Sequence, residues 1–270
     1  MSEQVSRRAV VGGLLFSIAG SAPAPAAPSL PPEVRGLWAG EVVVVRGGRS
    51  VVVGHRVART RVDEVARGAD TAALRVSDVL GHPVRALVLV PESAGEAARV
   101  AGVGRVDGLA AVADRGRVIV VPETFARLNP TGRDVVLAHE LTHVAAGTGG
   151  LPVWLYEGFA DYVGYRDAGL PVRTAAAELA DEVRAGRVPG ELPGSAAFAA
   201  DGRDPDRLAR AYQEAWLACR FLADRFGEET LVRLYRDARV AGVDRALASL
   251  GLSVATLTER WRAYVRERLA

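Results

Sequence analysis

The sequence predicts an α+β fold, with a small sheet in the first half of the chain and packed helices in the second. Two patterns support this prediction. Before Pro122, β-branched runs alternate with glycine turns and short helical segments, whereas after Pro122 apolar residues recur at helical spacing. The chain has 270 residues, 49% of them hydrophobic, enough for a substantial core. We expect one domain over 33–270, with a sheet subdomain at about 33–128 and a helical subdomain at about 129–270.

Residues 1–32 are predicted to lie outside this domain. A charged segment at Ser6-Arg7-Arg8 precedes an apolar stretch of twelve residues, and alanine and proline are frequent from 21 to 32. This order is typical of a secretory signal peptide followed by a linker. The arginine pair partly resembles a twin-arginine export signal. The apolar stretch is short for a membrane span, so we expect an exported protein, secreted or in the cell envelope, with no stable span after signal cleavage.

The strands and helices of the first half follow from periodicity and turn residues. They are a strand pair at 41–45 and 50–53, a helix at 62–80 ending at Gly81, a strand at 85–90, a helix at 93–101, and a strand pair at 108–113 and 117–121. Glycine turns of three or four residues join each pair, which indicates two β-hairpins.

In the second half, Asn129 is the predicted N-cap of a helix that has Pro130 at its first position and stops near Gly147. Further helices are predicted at 153–165, 174–184, 208–226, 229–239 and 254–269, with a loop at 186–205. An apolar stripe along 208–226 indicates core packing.

Composition excludes several classes of function. The net charge is +2 and the basic residues are all arginine, but no basic run or basic stripe with aromatic residues is present, so we do not expect nucleic-acid binding. Cys219 is the single cysteine, so no intramolecular disulfide can form, and its apolar neighbours indicate a buried thiol.

The candidate chemistry lies in HELTH, which runs from His139 to His143. Residues four apart on a helix project from one face, so both imidazoles can point at one metal ion. Two histidines and a carboxylate bind Zn²⁺ and leave a fourth position for water, and Glu140 is placed to act as the general base. The alternative is that two of four histidines share a helix by chance.

Glu157 is the predicted third ligand. A short glycine-rich turn separates the HELTH helix from the helix at 153–165, so the two should pack antiparallel and bring Glu157 to the histidines. Glu157 lies in an apolar segment, where burial of an unpaired carboxylate costs free energy. A bound metal ion would compensate for that cost. Asp161, one turn on, could hold a ligand histidine, or it could be a solvated carboxylate. Gly158 indicates a close approach to the HELTH helix.

These motifs resemble those of the gluzincin metallopeptidases, and more closely those of bacterial proteins with a peptidase MA-like domain. The resemblance rests on HELTHV, on the later segment Pro152-Val153-Trp154-Leu155-Tyr156-Glu157-Gly158-Phe159-Ala160-Asp161-Tyr162, and on weaker similarities over roughly 50–268. It implies a zincin-like fold and Zn²⁺ bound by His139, His143 and Glu157. It also implies that Glu140 is the general base and that Asp161 accepts a hydrogen bond from one of the ligand histidines. It also implies that the strand ending at Val121 is an edge strand above the cleft, able to pair with an extended peptide.

The leading hypothesis is therefore an exported zinc peptidase, endo- or aminopeptidase, that hydrolyses peptide bonds of a peptide or protein substrate through a zinc-bound water, with Glu140 as general base. Related families also suggest Tyr212 as an oxyanion donor, although core packing is an alternative role for it. His55 and His82 are predicted to lie in turns without a role in the site. Two alternatives stay open: a non-catalytic zincin-fold binding protein of the cell envelope with a zinc site, and an extracellular structural domain without metal.

Overall fold

The computed structural model describes residues 30–199 and 205–270. The chain has the predicted α+β organisation, with a five-stranded sheet followed by a helical half. The strands are β1 (Val42–Arg46), β2 (Ser50–His55), β3 (Ala86–Val90), β4 (Ala111–Asp114) and β5 (Arg117–Val120). The helices are α1 (Arg59–Leu80), α2 (Ala94–Ala101), α3 (Pro122–Arg127), α4 (Pro130–Ala146), α5 (Val153–Tyr165), α6 (Val172–Ala175), α7 (Ala177–Arg184), α8 (Pro205–Phe226), α9 (Glu228–Ala241), α10 (Val243–Ala248) and α11 (Val254–Leu269).

The sheet has the strand order β1-β2-β3-β5-β4. The central strands β2, β3 and β5 run parallel, and the two predicted hairpins add β1 and β4 antiparallel at the edges. The expectation that the strand ending at Val121 lies at the sheet edge is wrong. That strand is β5, which pairs with β3 on one side, so its hairpin partner β4 is the edge strand.

One face of the sheet packs against α1 and α4. Alternate residues of the parallel strands, such as Val52, Val88 and Val118, point to this face and are buried. The predicted helix at 62–80 is α1, which begins three residues earlier and ends at Gly81, where φ is +72°. Its buried face carries many alanines, which lets α1 lie close to both the sheet and α4.

The opposite face is covered by α2 and by the chain that leads into β1. Val53, Leu89 and Ile119 point to this face and form a second buried cluster with Val34. The prediction that His55 lies in a turn is wrong, because it is the last residue of β2 and is buried.

In the helical half, α5 lies between α4 and α8, and two glycines allow the close contacts. A Cβ on Gly158 would lie 2.1 Å from the carbonyl oxygen of Ala215 in α8, and a Cβ on Gly164 would lie 3.0 Å from that of Val135 in α4. The prediction that Gly158 approaches the HELTH helix is therefore wrong: Gly158 faces α8, and Gly164 faces α4. Cys219 of α8 is buried, as predicted.

The remaining differences are local. The predicted helix at 174–184 is divided at Ala176, whose φ of −120° and ψ of 48° are not helical, into α6 and α7. The short helices α3 and α10 were not predicted separately. The predicted signal peptide lies almost wholly in residues 1–29, outside the described residues. Within 30–199 and 205–270, no helix has both the length and the apolar content that a membrane span requires.

Candidate metal centre

The helix α4 holds the two histidines of HELTH one turn apart. The Asn129 side chain caps the helix by accepting a hydrogen bond from the Gly132 N–H at 2.7 Å, as predicted, and Pro130 is the first helical residue. The rings of His139 and His143 meet edge to face, and their Nε2 atoms are 3.0 Å apart. Both side chains are 12% exposed, so a small ion or a substrate group can reach them from one side.

A tight turn after α4 directs the chain back into α5. Gly147 ends α4 with a φ of +68°, and its N–H donates to the His143 carbonyl. Two side chains of α9 hold this turn: the Tyr235 hydroxyl donates to the Gly147 carbonyl at 2.6 Å, and Arg239 donates to the Ala146 carbonyl. The turn brings α5 alongside α4, so that Glu157 faces both histidines.

Three ligand atoms converge at this point. Glu157 Oε2 lies 3.2 Å from His139 Nε2 and 3.3 Å from His143 Nε2. A tetrahedral zinc with bonds of about 2.0–2.1 Å would separate its ligand atoms by about 3.3–3.4 Å, close to the distances in this triangle. The chemistry and the spacing of the three atoms therefore fit a zinc ion.

The hydrogen bonding of the site also fits a cation. Asp161 Oδ1 lies 2.8 Å from His139 Nδ1, and because a carboxylate oxygen accepts, Nδ1 donates. In the neutral ring, Nε2 then carries a lone pair that faces the Glu157 carboxylate. Glu157 Oε2 is buried and makes no hydrogen bond with any described residue. The lone pairs of Nε2 and of the carboxylate repel each other, and a metal ion bound between them would remove this repulsion.

Electrostatics within the site favour a carboxylate at Glu157. Burial raises the pKa of the Glu157 carboxyl, but when the His139 and His143 rings are protonated their hydrogen bonds and positive charge outweigh burial and lower that pKa to about 2. Burial lowers the pKa of His139, but the charge of Asp161 and its hydrogen bond outweigh burial and raise that pKa. Positive charge is thus stabilised between the two helices, whether protons or a metal ion supply it.

Glu140 lies beside this triangle, on the wall of an open cavity of about 420 Å³. Burial is the largest influence on its carboxyl and raises its pKa, while the neighbouring imidazoles and a hydrogen bond from the Ala113 backbone oppose this. A carboxyl group with a raised pKa is a stronger base when ionised, which suits proton transfer near neutral pH.

The edge strand β4 forms the opposite wall of the cavity. Asp114 pairs with Arg117 across a two-residue turn, and the Val121 N–H donates to the Ala110 carbonyl. Hydrogen bonding alternates along an antiparallel pair, so Ala111 and Ala113 turn their N–H and C=O groups to the free edge. The Ala113 N–H already donates to Glu140, so an extended peptide could pair with Ala111 and with the Ala113 carbonyl, next to the candidate metal centre.

Two tyrosines reach the cavity. The Tyr212 ring of α8 lies 6.1 Å from that of His139 and packs edge-on against Phe198. Tyr156 was not singled out in the sequence, and its ring lies 5.9 Å from that of His143. Its position directly before Glu157 on α5 was the available signal. His82 does not line the cavity, and His55 lies on the other face of the sheet.

No protein-family model matches the chain, and no match was found among curated proteins. Among solved structures, the chain is similar to a crystal structure of a two-domain M1 zinc metallopeptidase variant bound to L-arginine, at 15% identity and a TM-score of 0.45. That alignment covers 85% of this chain and 51% of the other, so this chain spans about half the length of the structure it matches.

Proposed function

We propose that this protein is an exported zinc-dependent peptidase of gluzincin type with a zincin-like fold. The observation that carries the proposal is the triangle of His139 Nε2, His143 Nε2 and Glu157 Oε2 beside Glu140, on the wall of an open cavity. A structural zinc site would close its fourth position, whereas this one faces a cavity bounded by an unpaired strand edge.

When bound, zinc would supply Lewis-acid chemistry, because it polarises a carbonyl and makes water more acidic. The chain's own residues would do the rest. The free edge of β4 would hold the peptide extended, and Glu140 would accept a proton from the attacking water. After the C–N bond breaks, Glu140 would deliver that proton to the leaving amine. Asp161 would hold His139 in one tautomer throughout.

Tyr212 is our proposed donor to the oxyanion that forms on the scissile carbonyl. Burial and the nearby carboxylates raise the pKa of its hydroxyl, so the proton stays on the oxygen and is available for donation. If Tyr212 acts in this way, Tyr212→Phe should lower kcat and leave zinc content unchanged. A Tyr212→Phe variant with full activity would assign the ring to packing against Phe198 alone.

The first test measures zinc in the purified mature protein by mass spectrometry. We expect about one zinc per chain in the wild type and in Glu191→Gln, which changes an exposed loop residue, and loss of zinc in Glu157→Ala. Absence of zinc from the wild type after purification with zinc would contradict the proposal.

The second test measures cleavage of casein and of a peptide library. We expect Glu140→Gln to keep its zinc and to lose peptide hydrolysis by at least about 10²–10⁴-fold, because the base is removed and the ligands are not. Labelling the N-termini of the products with an amine-reactive reagent would distinguish the two modes. An endopeptidase creates new N-termini inside the substrate, whereas an aminopeptidase removes residues one by one from the existing N-terminus. Zinc binding without cleavage of any peptide would favour the alternative, a zinc-containing binding protein of the cell envelope.

Export is a separate part of the proposal and rests on residues 1–32. Expression of the full chain in a bacterium, followed by N-terminal sequencing of the protein outside the cytoplasm, tests it. We expect the mature protein to begin between about residues 22 and 32, and replacement of Arg7-Arg8 by lysines should reduce export if the twin-arginine route is used.

A further inference from the structure

A second cavity lies behind the β4–β5 hairpin, on the face of the sheet away from α4. Its volume is about 260 Å³. Its lining residues come from the segment before β1, from α2 and the glycine after it, and from the hairpin: Leu37, Trp38, Glu96, Arg99, Val100, Gly102, Arg115 and Arg117. Arg115 lines both this cavity and the cavity of the metal centre.

The polar groups at this cavity are mainly cationic. Three arginines line it, Arg99, Arg115 and Arg117, together with one acidic residue, Glu96. Glu96 is already held by the His55 ring at 2.9 Å and by the Glu92 N–H at 2.8 Å. The nearby Asp114 carboxylate is shared between two of the arginines, so the cluster keeps an excess of positive charge.

Arg99 and Arg115 have N–H donors that make no hydrogen bond to the neighbouring carboxylates. The Arg99 guanidinium approaches Glu96 at 3.6 Å and the Arg115 guanidinium approaches Asp114 at 3.7 Å, both too long for a hydrogen bond. Their side chains are 71% and 82% exposed, so both can move toward a ligand. An arginine presents five N–H donors in a planar fork that suits two oxygens of an oxyanion.

Two residues that line the cavity also have buried donors without acceptors. Arg117 is 6% exposed, and its terminal nitrogens donate to the carbonyls of Glu33 and Val100 and to Asp114, but its Nε has no hydrogen-bond partner among the described residues. The Trp38 Nε1 is also buried and unpartnered in this part of the chain. Such groups are costly unless they find an acceptor.

The backbone of the hairpin turn adds an independent observation. Arg115 has a φ of +44° and Gly116 a φ of +80°, the left-handed pair that a two-residue turn needs. The first position of such a turn favours asparagine, aspartate or glycine, and arginine is strained there. Strained non-glycine residues are concentrated at functional sites.

We propose that this cavity is a binding site for a small oxyanion, such as sulfate, phosphate or a terminal carboxylate, held by Arg99 and Arg115 above Arg117 and Trp38. The occupant neutralises the excess positive charge and orders the β4–β5 turn. Because Arg115 belongs to both cavities and β4 forms the wall of the metal centre, the bound anion also sets the position of the strand edge beside Glu140.

The test measures thermal unfolding of the zinc-loaded mature protein in sodium sulfate against sodium chloride at equal ionic strength. Sulfate at ten times its Kd should raise the Tm of the wild type by about 3–5 °C. The double variant Arg99→Ala, Arg115→Ala, whose side chains are mostly exposed, should lose this rise. Arg105→Ala, which changes an exposed arginine paired with Asp107 outside the cavity, should keep it.

Tryptophan fluorescence locates the anion. Sulfate should change the fluorescence of the wild type, and Trp38→Phe should remove that change. Phosphate, and N-acetylglycine compared with its uncharged amide, separate free inorganic anions from terminal carboxylates. An equal Tm rise in the double variant, or no sulfate effect in the wild type, would overturn the proposal.

The site can be tested apart from the proposed peptidase activity. His143→Ala should lose zinc and keep the sulfate response, because the histidine does not line the second cavity. If sulfate binds but does not alter peptide hydrolysis, the coupling to the strand edge is wrong and the binding site stands.

Discussion

His139 and His143, the two candidate ligands, are held differently, although they lie on one face of one helix. His139 Nδ1 donates to Asp161, whereas the buried Nδ1 of His143 has no hydrogen-bond partner among the described residues. Its orientation depends on the packing of its ring against His139 and Tyr156. Asp161 therefore contributes more to the order of the site than any group behind His143.

Asp161→Asn should weaken zinc binding by about 10–100-fold, because the amide removes the negative charge that fixes the His139 tautomer and makes the ring more basic. The measurement is a competition titration with a chromophoric chelator. Asp181→Asn, an exposed carboxylate paired with Arg184, is the matched control and should bind zinc like the wild type. Equal affinity in the two variants would show that Asp161 does not support the site.

Asp70 should make stability depend on acidic pH. It accepts hydrogen bonds from the backbone N–H groups of Gly48 and Arg49 and from the Ser50 hydroxyl, which attaches the first hairpin to α1. Burial raises the pKa of its carboxyl, but these hydrogen bonds outweigh burial and lower it below 3.8. The stabilisation is therefore complete well above pH 3.8 and is lost as the pH falls through the folded-state pKa.

Urea unfolding of the wild type and of Asp70→Asn between pH 7 and pH 2 checks this. We expect the wild type to be the more stable protein at neutral pH. The difference should narrow as the pH falls below 3.8 and should close below the lowered folded-state pKa, where protonated aspartate and asparagine are both uncharged. A constant difference over the whole range would mean that the carboxylate charge contributes nothing.

At the scale of elements, the contact between α5 and α8 determines where Glu157 lies. An alanine normally stabilises a helix by about 1 kcal/mol relative to glycine. At Gly158, however, the added methyl would overlap the Ala215 carbonyl, so α5 must move away from α8 and carry Glu157 with it. A methyl group added to Gly149, in the turn before α5, would meet no atom within 4 Å beyond its chain neighbours.

Gly158→Ala should therefore lower the free energy of unfolding by about 1–3 kcal/mol and also lower zinc affinity. Chemical denaturation and zinc titration measure the two effects. Gly149→Ala should change neither by a comparable amount. A Gly158→Ala variant that is more stable than the wild type would show that α8 can shift without cost.

At the scale of the whole molecule, the metal should join the two halves of the helical region. It would bind residues of α4 and α5, which pack against the sheet and against α8. A ligand that binds only the folded state stabilises it, by about 4 kcal/mol when its concentration is a thousand times Kd. For a chain of this size, chelation of zinc should lower the Tm by on the order of 10 °C.

Differential scanning calorimetry with and without a chelator measures this change. His143→Ala should unfold near the temperature of the chelated wild type, and the chelator should not lower it further. A wild-type Tm that does not respond to chelation would show that zinc does not bind the folded protein at the concentrations used.

The local features of this protein can be predicted from neighbouring residues in the chain. The Asn129 cap, the boundaries of α5 and α11, and both hairpins follow from residues only a few positions apart. The spacing of HELTH and the cost of burying Glu157 were likewise enough to predict which side chains should meet. Periodicity, turn chemistry and desolvation act over short stretches of chain, so one sequence displays them directly.

Which elements become neighbours is seen only in the folded protein. It made β4 the edge strand, turned Gly158 toward α8, buried His55 in the second core and brought Tyr156 to the cavity. It also collected Arg99, Arg115 and Arg117 behind one hairpin. Each of these outcomes depends on which of several possible elements packs best against another in the folded chain. Such long-range packing is decided by the whole fold, so no short stretch of sequence predicts it.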